Sequence, residues 1–291
     1  MNTQPRNTNG WLWLTAPIAL LLAIATGGGL FVRGLYRDTP YSVAQVLGQD
    51  AITLGIALPT LVISALLTWR GSQRARLVWL GALAYMVYTY VGYAFDVRFN
   101  PLFLVYVAVL GCSTYALIGG LVTTDRADIQ ASFSERTPVK TVSIYLAVLA
   151  ALFYGLWLSD ALPASLAGKP AQSLIDAGTP TNFIHVLDMA WLLPGLALTA
   201  VSLWRRQPLG YTLAGALLTF FVLLALAVLA MVVFMARACQ PVIFPQVVIF
   251  VALFAASFGM LIGYLKHLVP SPIPTSAISQ TARTAHETGL A

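Results

Sequence analysis

Residues 58–70 read LPTLVISALLTWR, and residues 193–205 read LPGLALTAVSLWR. Both open on Leu-Pro, run for nine uncharged residues and close on Trp-Arg, at an offset of 135. An uncharged apolar run ending in an aromatic and a cation is what the edge of a bilayer selects. Its recurrence predicts membrane helices arranged as two equivalent halves.

Composition agrees with the first part of that reading. The chain has 291 residues, 59% hydrophobic and 9% charged, too few polar side chains to cover a water-soluble globule. Crossing a hydrocarbon core of roughly 30 Å takes about 20 residues. Runs of that kind occur near 11–33, 50–69, 76–96, 100–124, 140–159, 182–204, 209–236 and 245–268. The expected fold is therefore all-α, a polytopic membrane protein of eight transmembrane helices.

Loop charges set an expected orientation. With the N-terminus inside, the inner segments carry Arg6, Arg70, Arg74, Arg76, Arg126, Arg136, Lys140, Arg205, Arg206, Lys266 and Arg283. The outer ones carry Arg33, Arg37, Arg98, Lys169 and Arg237. Basic residues favour the cytoplasmic side, which predicts both termini there. The net charge of +6 then reports topology and contact with anionic lipid, with no nucleic-acid partner. The first span runs past "ATGGGLFV", longer than a signal-peptide core of about 7–15 residues, so it is expected to stay. Cys112, mid-span, and Cys239, in an outer loop, form no disulfide framework.

The repeat extends beyond the opening pair. At an offset of 144, Pro101, Val107, Ala108, Ser113, Leu117, Ile118, Gly119 and Leu121 match Pro245, Val251, Ala252, Ser257, Leu261, Ile262, Gly263 and Leu265. "GAL" at 81–83 recurs at 215–217, and Ile18, Leu20, Ala25, Gly29 and Leu30 correspond to Ile144, Leu146, Ala151, Gly155 and Leu156. Four spans separate equivalents, so a 4+4 parallel tandem repeat is expected, with a pseudo-two-fold along the membrane normal. The plain alternative is chance likeness between apolar helices that share a small alphabet. The predicted organisation is an N-terminal four-helix unit (1–124), a polar cytoplasmic linker (125–139), a C-terminal four-helix unit (140–268) and a disordered tail (269–291). His286 and Glu287 in that tail read as solvated. The segment "SDALPASLAGKPAQSLIDAGTP" reads as a long outer loop.

Ionisable residues inside a membrane are costly and usually paired or functional. In "TNFIHVLDMAWLLPG" (181–195), His185 and Asp188 stand one turn apart near the start of the sixth span. The offset of 135 sets Asp50 opposite His185, at the outer end of the second span. If the second and sixth spans meet at the axis, Asp50, His185 and Asp188 form one outward-facing polar cluster suited to proton or cation coupling. Asp50 reads equally as a helix N-cap, and His185 as a ligand of a nearby loop. If the protein binds a metal, the same three residues are the expected ligands; no cofactor is called for. Helix 3, "YMVYTYVGYAFDVRFNP", supplies tyrosines that read either as interfacial anchors or as the wall of a cavity in which Tyr93, Asn100 and Tyr106 are candidate lining. Pro59 and Pro194 are expected to bend their spans symmetrically, and Gly27, Gly28 and Gly29 to permit close helix approach. Asp96 and Arg98 are expected to pair locally or with Arg37 and Asp38.

Several chemistries drop out. Bis-histidine haem needs more buried histidines, retinal needs a mid-membrane lysine, and Walker-type loops, nucleophile elbows and paired-cysteine motifs are missing from the sequence. The phrases "FNPLFLVYVAVLG", "TNFIHVLDMAWLLPG" and "LWRRQPLGYTLAGALL" resemble a group of multi-pass bacterial membrane proteins of unassigned function, over roughly 50–265. That resemblance implies a bacterial inner-membrane setting and no particular activity. Three functions stay open: a transporter-like protein with an outward polar cavity coupled to protons or cations, taking a small ion or molecule; a sensory or accessory membrane subunit with a structural polar cluster; and a membrane-embedded, metal-assisted enzyme. The sequence leaves the oligomeric state open.

Overall fold

The computed structural model describes residues 10–269. Arg6, Arg283, His286, Glu287 and nearly all of the expected tail lie outside that range. Among the described residues, eight helices are long and apolar enough to cross a membrane: α1 (Gly10–Phe31), α2 (Pro40–Trp69), α3 (Gln73–Phe95), α4 (Phe103–Thr123), α5 (Val139–Ala167), α6 (Phe183–Trp204), α7 (Pro208–Arg237) and α8 (Phe244–Leu265). The protein is a multi-pass all-helical membrane protein. Below, the near end of the bundle is where α1 starts and α8 finishes; the far end is opposite.

Two helices outrun their apolar stretches. α2 begins ten residues earlier than hydropathy suggests, because Thr39 accepts the Ser42 amide at 3.2 Å as an N-cap and Pro40 occupies the first turn. The extra turns carry Gln45, Gln49 and Asp50, whose polarity hides them from a hydropathy scan. Asp50 is therefore mid-helix, and its reading as an N-cap is wrong. α5 likewise continues through Ser159, Asp160 and Pro163 to a left-handed Gly168, so the first part of the expected outer loop is helix. The remainder includes a short helix, Gln172–Ala177.

The proline bends take a specific form. Each interrupted helix widens to a π-turn just before its proline, at Thr53–Ala57 in α2 and Asp188–Leu192 in α6. In both, an amide reaches back five residues: Leu58 to the Thr53 carbonyl, Leu193 to that of Asp188. A π-turn inserts one residue and rotates the preceding helix face, and it lets the chain accommodate a proline that cannot donate. The two π-turns stand at the same offset of 135 as the sequence match.

At the centre α3 packs on α7, and each also packs on its flanking partners, α3 on α2 and α4, α7 on α2, α6 and α8. Close approach comes from glycine. A Cβ at Gly81 of α3 would strike the Ala216 carbonyl and stand 2.5 Å from Thr219 Cβ on α7; one at Gly215 of α7 would come 2.7 Å from Leu77 Cδ1 on α3. These are the two glycines of the repeated "GAL". Gly48 of α2 similarly faces the backbone of Met231 on α7 at 2.6 Å. The helix hub is α3, of whose apolar window 67% is buried, against 17% for α8.

The linker folds back on the near end. Arg126–Ala131 is a short helix capped by Asp125, Phe133 packs between Tyr211 and Tyr264, and Val269 donates to the Ser132 carbonyl at 2.8 Å. Arg74 adds a bond to the Leu268 carbonyl at 3.1 Å.

Candidate functional site

Asp50 lies ten residues past the start of α2, about 15 Å along an axis that rises about 1.5 Å per residue. It is fully buried. Tyr93 of α3 donates its hydroxyl to Asp50 Oδ1 at 2.7 Å, and Tyr36, from the loop joining α1 to α2, donates to Oδ2 at 2.7 Å. An ionised carboxylate only accepts, and both its oxygens are engaged by phenols. Burial first, and then the Asp50 carboxylate, push the Tyr36 phenol far above its ordinary range, so it remains a donor.

α1 makes room for this pair with a glycine. A Cβ at Gly29 would run into Asp50 Oδ2 and the Tyr36 hydroxyl, whereas one at Gly27 meets nothing within 4 Å. Around the carboxylate, Gln49 donates to Tyr85 at 2.6 Å and to Thr89 at 3.1 Å, and Thr53, in the π-turn, shares a 3.2 Å bond with Tyr85. Tyr90 stacks on Tyr93 at 5.0 Å, and Tyr106 meets Tyr93 edge-on at 5.2 Å. The Tyr90 hydroxyl is buried without a hydrogen-bond partner. The Tyr106 hydroxyl faces Tyr36 and Asn100 without reaching bonding geometry.

Asp188 makes a second node. Tyr88 of α3 donates to its Oδ1 at 2.9 Å and the Trp157 indole of α5 to its Oδ2 at 2.7 Å. His185, one turn earlier, packs its ring 4.6 Å from that of Trp157 and lines a far-end cleft of about 340 Å³ with Asn182, Lys169 and Met189. Asn182 caps α6, accepting the Ile184 and His185 amides.

The sequence candidates thus separate into groups. Tyr93 and Tyr106 gather on Asp50. Asn100 instead ties its own loop, accepting from the Leu102 amide at 2.9 Å and donating to the Arg98 carbonyl at 3.2 Å. His185 and Asp188 keep company with Trp157. The three expected metal ligands do not assemble, because α3 and α7 occupy the centre where α2 and α6 were expected to meet. Among the described residues no three His, Cys, Asp or Glu side chains come together as a metal site would need. Of the pairing expected for Asp96 and Arg98, locally or with Arg37 and Asp38, the structure has the Arg98 amide donating to Asp38 Oδ1 at 3.1 Å.

No protein-family model, curated protein or solved structure matches the chain. The multi-pass architecture consequently stands on the helices themselves, and the expected kinship rests only on the phrases that suggested it.

Several site residues escaped the sequence reading. Tyr36 sits in "RGLYRDTPYS", where no periodicity distinguishes it from a loop tyrosine. Tyr85 and Tyr88, three residues apart in helix 3, part company, Tyr85 turning to α2 and Tyr88 to α6. Trp157 had no signal beyond being an aromatic whose N–H needs a partner inside a membrane. Gly29 was visible as part of a glycine run, but not as the member that faces the acid.

Proposed function

We propose that the protein is a proton-responsive, transporter-like membrane protein in which Asp50 is the proton acceptor and Tyr36 the latch it controls. The observation that carries this reading is a fully buried carboxylate, ten residues into a helix long and apolar enough to cross a membrane, whose bonds come from two neutral phenols on separate elements. A buried acid without a cation partner is where a proton gains most by binding.

Protonation changes the bonding arithmetic. A neutral carboxyl has one oxygen bearing a hydrogen, so it cannot accept equally from both phenols. Tyr93 is buried in the last turn of α3, on a regular helix, whereas Tyr36 hangs from the loop 32–39. The loop attachment is the one expected to yield, freeing the far end above Asp50. The π-turn just beyond Asp50 gives α2 a place to rotate, and π-turns recur at functional positions.

The matched π-turns and the reciprocal glycine contacts at Gly81 and Gly215 support a 4+4 parallel repeat with its pseudo-two-fold between α3 and α7. Within that scheme Thr53 and Asp188 are equivalents, and the two acids occupy different registers of equivalent helices. A bacterial inner membrane with both termini cytoplasmic follows from the loop charges and the resemblance.

The test is proton movement. Reconstituted into liposomes with a trapped pH-sensitive dye, the protein is expected to move protons under an imposed gradient, and Asp50→Asn to abolish it. A sealed bundle with no flux in either protein would refute transport. The second reading, a sensory or accessory subunit, is favoured by one feature: the far-end cleft that His185 lines is lined by neither Asp50 nor Asp188. It predicts a pH-dependent movement of loop 32–39 without flux.

A further inference from the structure

The far-end cleft of about 340 Å³ lies between the last turns of α5 and the first turn of α6. His185 lines it while only 7% exposed, so the imidazole belongs to its inner wall. Among the described residues neither ring nitrogen of His185 has a hydrogen-bond partner, and neither is sealed from solvent. A neutral imidazole carries one N–H donor and one acceptor nitrogen. Both are left for whatever enters the cleft.

The charge of the lining selects the visitor. Lys169 is the one charged residue that lines the cleft, and it has no carboxylate partner among the described residues. Asp160 of α5 does not line it and instead accepts the Ser173 hydroxyl at 2.6 Å. Asn182 spends its Oδ1 on the Ile184 and His185 amides, at 3.0 and 3.3 Å, which leaves its Nδ2 hydrogens unspent. The start of α6 adds the positive end of a helix dipole, which favours negative charge. One cation among neutral donors matches a single negative charge; a second would go unbalanced.

We propose that this cleft binds a monocarboxylate with a short apolar tail: His185 and Asn182 donate to the carboxylate, Lys169 balances its charge, and the tail lies along Leu174, Val186 and Met189. The volume sits near the lower end of the roughly 300–1,000 Å³ usual for small-molecule sites, which limits the tail to a few carbons. A carboxylate bears its charge at the end of a molecule and can reach an imidazole on the inner wall. A phospholipid's phosphodiester carries the same charge between two substituents, which hold it off that wall. The site stands apart from the Asp50 pair and does not rest on the proton reading.

The experiment is calorimetric titration of hexanoate into the full-length protein in phosphatidylcholine nanodiscs, with the heat of empty discs subtracted. Saturable binding of one hexanoate is expected, with hexylammonium and hexanol weaker by about tenfold or more, the scale of one hydrogen bond to a charged group. Lys169→Gln, at an exposed position, is expected to weaken hexanoate by about tenfold while leaving hexanol unchanged, and His185→Leu to weaken hexanoate by a similar factor. No saturable heat, or hexylammonium binding as tightly as hexanoate, would overturn the proposal without recourse to any variant. Hexanoate affinity unmoved by Lys169→Gln would overturn it equally. Discs containing phosphatidylglycerol separate the two sources of a single negative charge: unchanged hexanoate binding supports the carboxylate, and its loss would assign the cleft to the phospholipid and overturn the proposal.

Discussion

Tyr88 and Tyr93 lie five residues apart on α3 and donate to different carboxylates, at 2.9 Å to Asp188 Oδ1 and 2.7 Å to Asp50 Oδ1. Five residues at 3.6 per turn carry a side chain roughly 140° around a helix. One helix thus serves two acid nodes on separate faces, which explains why Tyr88 and Tyr93 bond to acids inside the bundle instead of anchoring in the headgroups. A change at either node has a rigid element through which to reach the other.

Gly29→Ala places a methyl where the Asp50 carboxylate and Tyr36 hydroxyl meet. It is expected to lower stability by about 1–3 kcal/mol, the usual cost of overpacking a filled site. Gly27→Ala, with open space around it, is expected to change stability by well under half of that. Thermal melts of the two variants in one detergent check the difference; equal melts would mean that α1 does not pack on the acid.

Gly81→Ala and Gly215→Ala are expected to destabilise by similar amounts, about 1–3 kcal/mol each, since both glycines set the spacing of α3 and α7. Gly155→Ala, on the open face of α5, serves as the neutral reference. If Gly81→Ala alone mattered, the two-fold arrangement of the crossing would lose its support.

At Asp188, Tyr88→Phe and Trp157→Phe each strip one donor from a buried carboxylate. Each is expected to cost about 1–3 kcal/mol, and the double variant less than the sum, because the two donors share one acceptor group. A double-mutant cycle from chemical denaturation measures the coupling; strict additivity would indicate that the bonds are independent of the acid.

The Tyr36 phenol gives an alkaline signature. Its ionisation is raised by burial and by Asp50, so the folded protein keeps a proton that the unfolded chain releases near pH 10. Its contribution is whole below that pH and falls away as pH rises further. Tyr36→Phe is expected to flatten the loss of melting temperature between about pH 9 and 11, the range that brackets the unfolded phenol. An unchanged slope would place Tyr36 outside the buried cluster.

Much of this architecture was legible in the chain. Hydropathy alone located eight spans, and the Leu-Pro to Trp-Arg pair picked out the two helices that carry π-turns, because a mid-helix proline leaves a mark in sequence and backbone alike. Asp50 stood out as an ionisable residue at the edge of an apolar span, and Tyr93 and Tyr106 as candidate lining of a cavity. What misled was scoring polarity as the end of a helix. Gln45, Gln49 and Asp50 are polar because they face α3 and α7, so α2 looked ten residues too short and Asp50 looked like a cap. The separation of Asp50 from His185 was not readable either. It depends on which helices occupy the centre, and that choice is made by Gly48, Gly81 and Gly215 against particular backbone atoms, a matter of shape that periodicity does not encode.

The central claim is that Asp50 takes up a proton and lets go of Tyr36. Infrared difference spectroscopy of the membrane-reconstituted protein across a pH step tests it most directly, reading the carbonyl stretch of a protonated carboxylic acid together with the phenol bands of tyrosine. The account predicts that the acid band rises on acidification with a simultaneous tyrosine change, that Asp50→Asn removes both, and that Tyr36→Phe removes the tyrosine change while leaving the acid band. An acid band that persists in Asp50→Asn, or an Asp50 band that appears with no change at Tyr36, would contradict it.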